Sequence, residues 1–168
     1  PNALTEAEEK KGLTLESKVV RNRLVHDHLM TALKSNPSPI YSQNFASRIT
    51  TGNTTDDMSK IANYDWIIEV VVERLDIKKI VFEQIDKYRK TGTLVTSNTS
   101  GIPIHYMSEE RSEDFQAHFC GTHFFNPARY LKLFEIIPGP KTYLEVLDFL
   151  ADYGSKYLGK TSVIAKDT

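Results

Sequence analysis

The chain has 168 residues, with 21 Lys+Arg against 22 Asp+Glu and a formal net charge of −1. That length fits one domain, and the balanced charge excludes a nucleic-acid or membrane-surface role built on bulk positive charge. Hydrophobic residues make up 40% and the one cysteine is Cys120, which excludes wholesale disorder and an internal disulfide framework and points to a reducing, cytoplasmic compartment.

The first third is polar and helical in pattern. Thr5-Glu6-Ala7-Glu8 reads as a capping box, with Glu8 reaching back to Thr5. A second helix is expected from Thr14, with Leu15, Val19, Leu24, Leu29 and Leu33 as an irregular apolar stripe, ending at Pro37 and Pro39. Phe45–Ile49 is expected as a strand, and Thr54–Asp57 as the start of a short helix running to about Ala62. The pattern then changes. Asp65–Val72 is nearly continuous and β-branched, as in a buried parallel strand. Asp76–Tyr88 has a helix period, and Thr93–Asn98 reads as a second strand, which completes a βαβ unit. A turn near Ile104–Met107 and an exposed charged stretch, Ser108–Asp114, come next. Strands are expected at Phe119–His123 and Leu131–Ile137, a helix over Tyr143–Leu158 and a last strand at Thr161–Ala165. No apolar run approaches the ~20 residues of a membrane span. No signal segment opens the chain, and its start at Pro1 rather than Met reads as part of a longer protein.

One pair of residues carries chemistry. If the chain folds back about Arg129, His123 lies opposite Glu135 on antiparallel strands. Directly opposed residues share a face, with Cβ atoms about 5 Å apart. A neutral imidazole takes a proton from an alcohol near neutral pH, and a carboxylate on its other nitrogen fixes the tautomer and stabilises the imidazolium. On its strand, Glu135 alternates with Leu131, Leu133 and Ile137, where a carboxylate needs a partner. A structural hydrogen bond uses the same two residues, and spacing alone leaves that alternative open. Ser97-Asn98-Thr99-Ser100-Gly101 follows a strand, where open α/β sheets bind ligands, although its composition also suits an ordinary turn. Cys120 lies in a strand pattern and is expected to be inert, and the histidines show no metal-ligand spacing.

Several stretches together resemble the L-3-hydroxyacyl-CoA dehydrogenases: His123-Phe124-Phe125-Asn126-Pro127 followed by Leu133–Ile137, Ser97–Ser100, Asp65–Glu73, and Gly159-Lys160 with Lys166-Asp167-Thr168. The resemblance covers about residues 63–168. It implies a partial Rossmann-type α/β domain, with a mostly parallel sheet, a C-terminal antiparallel hairpin and helices on its faces. Residues 1–62 would be the helical excursion after the family's second strand. Residues 63–168 would be the remainder of the NAD-binding domain. The resemblance further implies NAD as cofactor and a 3-hydroxyacyl-CoA as substrate, in fatty-acid β-oxidation. Carried over by motif, His123 would be the base, Glu135 its orienting acid and Ser100 a ligand of the substrate oxygen. Glu73, Lys78, Asn98 and Asn126 would lie along NAD.

Two departures follow. No two of the 8 glycines stand two apart, so the G-x-G-x-x-G turn that receives a pyrophosphate is absent. The family's first strand and its all-helical domain are expected outside these residues. The chain alone is therefore expected to be inactive and to bind NAD weakly or not at all. It is also expected to self-associate through the Asp65–Val72 edge. The rival functions are a structural, crystallin-like member of the family and a nucleotide-binding module without redox chemistry.

Overall fold

Strand and helix patterns that alternate along the chain call for a sheet covered by helices. The computed structural model, which describes residues 2–167, contains one. Pro1 and Thr168, the second of which closes one of the motifs above, lie outside the described residues. The chain divides into two compact units, Pro1–Met58 and Ser59–Thr168.

In the first unit, α1 (Glu6–Lys10) starts at the expected capping box: the Thr5 amide donates to Glu8 Oε2 at 2.7 Å. The single helix expected from Thr14 is instead two, α2 (Lys18–Arg21) and α3 (Arg23–Lys34). The break falls at Asn22, whose side chain accepts from Asn53 Nδ2 at 2.6 Å, beside an Arg21–Asp56 ion pair at 2.6 Å. These polar ties hold the corner where an unbroken helix would run straight. The strand expected at Phe45–Ile49 is a 3-10 helix, Gln43–Arg48, started by Ser42 Oγ accepting the Asn44 amide. Local turn chemistry decides the structure there.

The short helix expected from Thr54–Asp57 to about Ala62 is a 3-10 helix, Met58–Asn63, at the boundary of the two units. The sheet follows: β1 (Trp66–Glu69), β2 (Leu94–Ser97), β3 (Phe119–Phe124), β4 (Leu133–Pro138) and β5 (Thr161–Ile164), side by side in that order. All neighbours are parallel except β3 and β4. Four helices join them: α4 (Leu75–Tyr88), α5 (Ile104–Ser108), α6 (Glu113–Ala117) and α7 (Leu144–Lys156). The short turn expected near Ile104–Met107 is thus a helix. The charged stretch expected to be exposed runs into another, where Asp114 binds Arg89 at 2.6 Å.

Each face of the sheet has its own core. On one, Leu94, Cys120, Phe134 and Ile136 pack against Val146 and Leu150 of α7. Gly154 lets that helix approach: a Cβ there would come within 3.0 Å of the Phe134 ring. Elsewhere the rings of Phe82, Phe115 and Phe119 meet at 5.0–5.7 Å, all fully buried. Truncating a ring so placed to Ala costs about 3–5 kcal/mol, which ties α4 and α6 firmly to β3.

The strand buried on both faces is β2, not β1 as the sequence pattern suggested. Among the described residues β1 pairs only with β2, and Ile68, Val70 and Val72 are exposed. β1 also stops at Glu69 rather than Val72. The Val71 amide donates to the Glu69 side chain at 2.5 Å, which ends the ladder.

Candidate active site

β3 and β4 pair antiparallel across the loop of residues 125–132, and His123 stands opposite Glu135. His123 Nδ1 donates to Glu135 Oε2 at 2.8 Å, with the two side chains 20% and 31% exposed. Glu135 is therefore half-solvated. The apolar face of β4 is formed by the buried Phe134 and Ile136, so the face of Leu133, Glu135 and Ile137 is less dry than its sequence suggests. The Phe125 ring lies 4.4 Å from the imidazole and fixes its tilt. With Nδ1 committed to the carboxylate, Nε2 is the nitrogen left to exchange a proton.

The other sequence-predicted residues gather at the carboxyl ends of β1, β2 and β3. Asn98 ties two of these ends together. Its backbone amide donates to Glu69 O at 2.9 Å and its Oδ1 accepts the Phe124 amide at 2.9 Å, one residue from His123. Ser100 is exposed in the loop after β2, and Asn126 is exposed in the loop after β3. Glu73 holds the Ser100 loop: its Oε1 accepts from Thr99 Oγ1 at 2.5 Å and from the amides of Ser100 and Gly101 at 3.1 Å each. Burial pushes the Glu73 carboxyl up, but these three bonds and the attraction of Lys78 outweigh it and hold the group below the usual carboxylate range.

Lys78, the fourth residue expected along NAD, sits behind Glu73. It is fully buried, and its ammonium is enclosed by Glu69 at 2.9 Å and Glu73 at 3.4 Å. A helical lysine is expected to point to water, so its burial was not visible in the sequence.

Sequence reasoning also missed three anchoring residues. Glu69, lone carboxylate in an apolar run, receives Lys78. Lys160 is nearly buried and donates to the carbonyls of Ala128 and Leu131, pinning the loop that carries Asn126. Asp167 accepts the Ile104 and His105 amides at 2.6 and 3.0 Å and the His105 ring at 2.7 Å, fixing the first turn of α5 just beyond Ser100. Gly159-Lys160 and Asp167 were marked only as motif residues, and their partners lie about 30 and 60 residues away. Cys120 is fully buried, which raises its thiol to about 12 and leaves it unreactive.

A cavity of about 100 Å³ opens between Ser100, Ile104, Ile137 and Asp167. A larger one, about 520 Å³, lies at the opposite ends of the strands against Leu94, Tyr143 and Phe149. The larger one is apolar and lies away from His123, so volume does not mark the chemistry here. Among the described residues, no group of three His, Cys, Asp or Glu could hold a metal ion, and no helix is long and apolar enough to cross a membrane.

Residues 7–168 match the family described as "3-hydroxyacyl-CoA dehydrogenase, NAD binding domain". A Bacillus subtilis protein named "Probable 3-hydroxyacyl-CoA dehydrogenase" is 55% identical over 168 residues, which is 100% of this chain and 21% of that protein. The human "Hydroxyacyl-coenzyme A dehydrogenase, mitochondrial" is 37% identical over 119 residues, 71% of this chain and 37% of that protein. Among solved structures, 3-hydroxybutyryl-CoA dehydrogenase from Escherichia coli K12 superposes with a TM-score of 0.69 at 26% identity, over 99% of this chain and 32% of that one. The chain thus spans well under half the length of each of these proteins.

Proposed function

Because the chain belongs to the 3-hydroxyacyl-CoA dehydrogenase NAD binding domain family, we propose that it carries the catalytic pair of an enzyme oxidising an L-3-hydroxyacyl-CoA to the 3-oxoacyl-CoA, in fatty-acid β-oxidation. The observation that carries this reading is the 2.8 Å bond from His123 Nδ1 to Glu135 across β3 and β4.

The polar groups suit the redox end of a dinucleotide. Asn98, Ser100, His123 and Asn126 converge at the carboxyl ends of parallel strands, where ligands of open α/β sheets bind. The small, exposed Ser100-Gly101 turn leaves open space: a Cβ on Gly101 would meet nothing within 4 Å. The Gly-rich pyrophosphate turn is not among these 168 residues. The chain therefore fits the nicotinamide half of the site, with Asn98, Asn126 and Glu73 along it. When bound, NAD supplies the hydride acceptor.

The protein's own part is protonic and positional. The C3 hydroxyl proton passes to His123 Nε2 as hydride leaves C3. Glu135 stabilises the imidazolium that results, and Ser100 Oγ donates to the substrate oxygen. The half-exposed setting of the pair lets the proton leave to water afterwards.

In the test, the intact protein is given an L-3-hydroxyacyl-CoA and NAD, and NADH and the 3-oxoacyl-CoA are expected in equal amounts. NAD binding without either product would reject the proposal.

The open edge of β1 adds an expectation for this chain by itself. Among the described residues the free side of β1, beside exposed Ile68, has no strand paired to it and forms a template for a second strand. The 168-residue chain is expected to sediment as dimers or larger species, with a monomer at all concentrations as the contrary result.

A further inference from the structure

We propose that Glu69, a residue with no assigned role, is a positioning residue for substrate binding. It acts on the Ser100 loop through Lys78 and Glu73. The proposal rests on the assignment of Ser100 to the substrate oxygen.

Glu69 is the last residue of β1 and is 3% exposed. A carboxylate so buried demands several donors. It has them: Lys78 Nζ at 3.0 and 2.9 Å, Ser97 Oγ at 2.6 Å and the Val71 amide at 2.5 Å. Lys78, from α4, is therefore locked in place by the sheet. Its ammonium also reaches Glu73 Oε2 at 3.4 Å. Glu73 uses its other oxygen to collect Thr99 Oγ1 and the amides of Ser100 and Gly101. Thr99 Oγ1 in turn accepts the Ile102 amide at 3.1 Å, closing the loop.

The arrangement shares one ammonium between two carboxylates of unequal claim. Glu69 holds it closely and in bidentate fashion; Glu73 holds it loosely. That inequality matters. If Glu69 loses its charge, the ammonium gains by moving onto Glu73, the remaining anion. Glu73 would then turn toward Lys78 and away from the loop. Ser100 and Gly101 would lose the acceptor that fixes their backbone, and the Ser100 hydroxyl would lose its direction. Glu69 thus keeps Lys78 from competing with the loop for Glu73.

The test uses the intact protein with Glu69→Gln, which keeps shape and can still bond Ser97 or Val71. A second variant, Ser97→Ala, removes one donor from the same carboxylate but leaves the Lys78 bridge in place. Hydrogen–deuterium exchange without ligand follows the peptide containing Ser100 and Gly101, and steady-state kinetics follow KM and kcat. For Glu69→Gln, exchange in that peptide is expected to quicken about five- to tenfold, as for loss of one net hydrogen bond. KM for the acyl-CoA should rise by a similar factor. For Ser97→Ala the peptide is expected to exchange as in the wild type. Unchanged loop exchange in Glu69→Gln, or equal loosening in both variants, would overturn the relay. Faster loop exchange with unchanged acyl-CoA KM would instead remove Ser100 from the substrate, so the two failures are distinct.

Discussion

Replacing His123 with Ala is expected to lower kcat of the intact protein in the proposed oxidation by about 10²–10⁴-fold, the usual contribution of a positioned general base. The expectation follows from geometry. Nδ1 is committed to Glu135 at 2.8 Å, so Nε2 is the acceptor presented to a substrate hydroxyl. The effect should fall on turnover, because the imidazole handles a proton that moves only in the reaction. Affinity for NAD, measured by fluorescence titration, should change by less than about tenfold. Near-normal turnover in this variant would end the assignment of His123 as base.

Replacing Glu135 with Gln is the second large effect. The amide keeps the shape and accepts the same hydrogen bond, but it lacks the charge that stabilises an imidazolium. kcat should fall by about 10²-fold or more. The fold should hardly notice. The pair is partly exposed, at 20% and 31%, and exposed ion pairs contribute only about 0–1 kcal/mol. For a domain of 150–250 residues 1 kcal/mol moves Tm by about 2–4 °C, and by less in a longer protein, whereas a 10²-fold loss of rate is about 2.7 kcal/mol. Catalysis therefore separates from stability by magnitude. A variant with its rate intact and its Tm lowered by ten degrees would show the bond to be structural only.

The parts of this site legible in the sequence were those set by period-two alternation. Given a fold-back about Arg129, period-two alternation brings His123 opposite Glu135; the fold-back itself had to be assumed. The order of strands in the second unit was legible for the same reason: each apolar run is bounded by polar turns. What could not be read depends on contacts distant in sequence. Lys78 looks like a solvated helical lysine, and only the fold brings Glu69 and Glu73 around it. Asp167 caps α5 from more than 60 residues away. The break between α2 and α3 rests on Asn53 and Asp56 reaching Asn22 and Arg21. The 3-10 helix at Gln43–Arg48 was missed for a different reason. The apolar Phe45 and Ile49 suggest a strand, but the Ser42–Asn44 bond closes a turn first. The β1 strand was read as buried because continuous apolar runs usually are. Its exposure depends on which strands stand beside it, and the run itself does not reveal that.

The central claim is that Glu135 holds His123 as the Nδ1–H tautomer, with Nε2 bare and ready to accept a proton. Nitrogen-15 NMR of histidine-labelled intact protein, on the neutral imidazole, measures this directly. The account predicts that His123 shows a protonated Nδ1 and an unprotonated Nε2, and that the preference weakens in Glu135→Gln. A neutral His123 carrying its proton on Nε2 in the wild-type protein would contradict it.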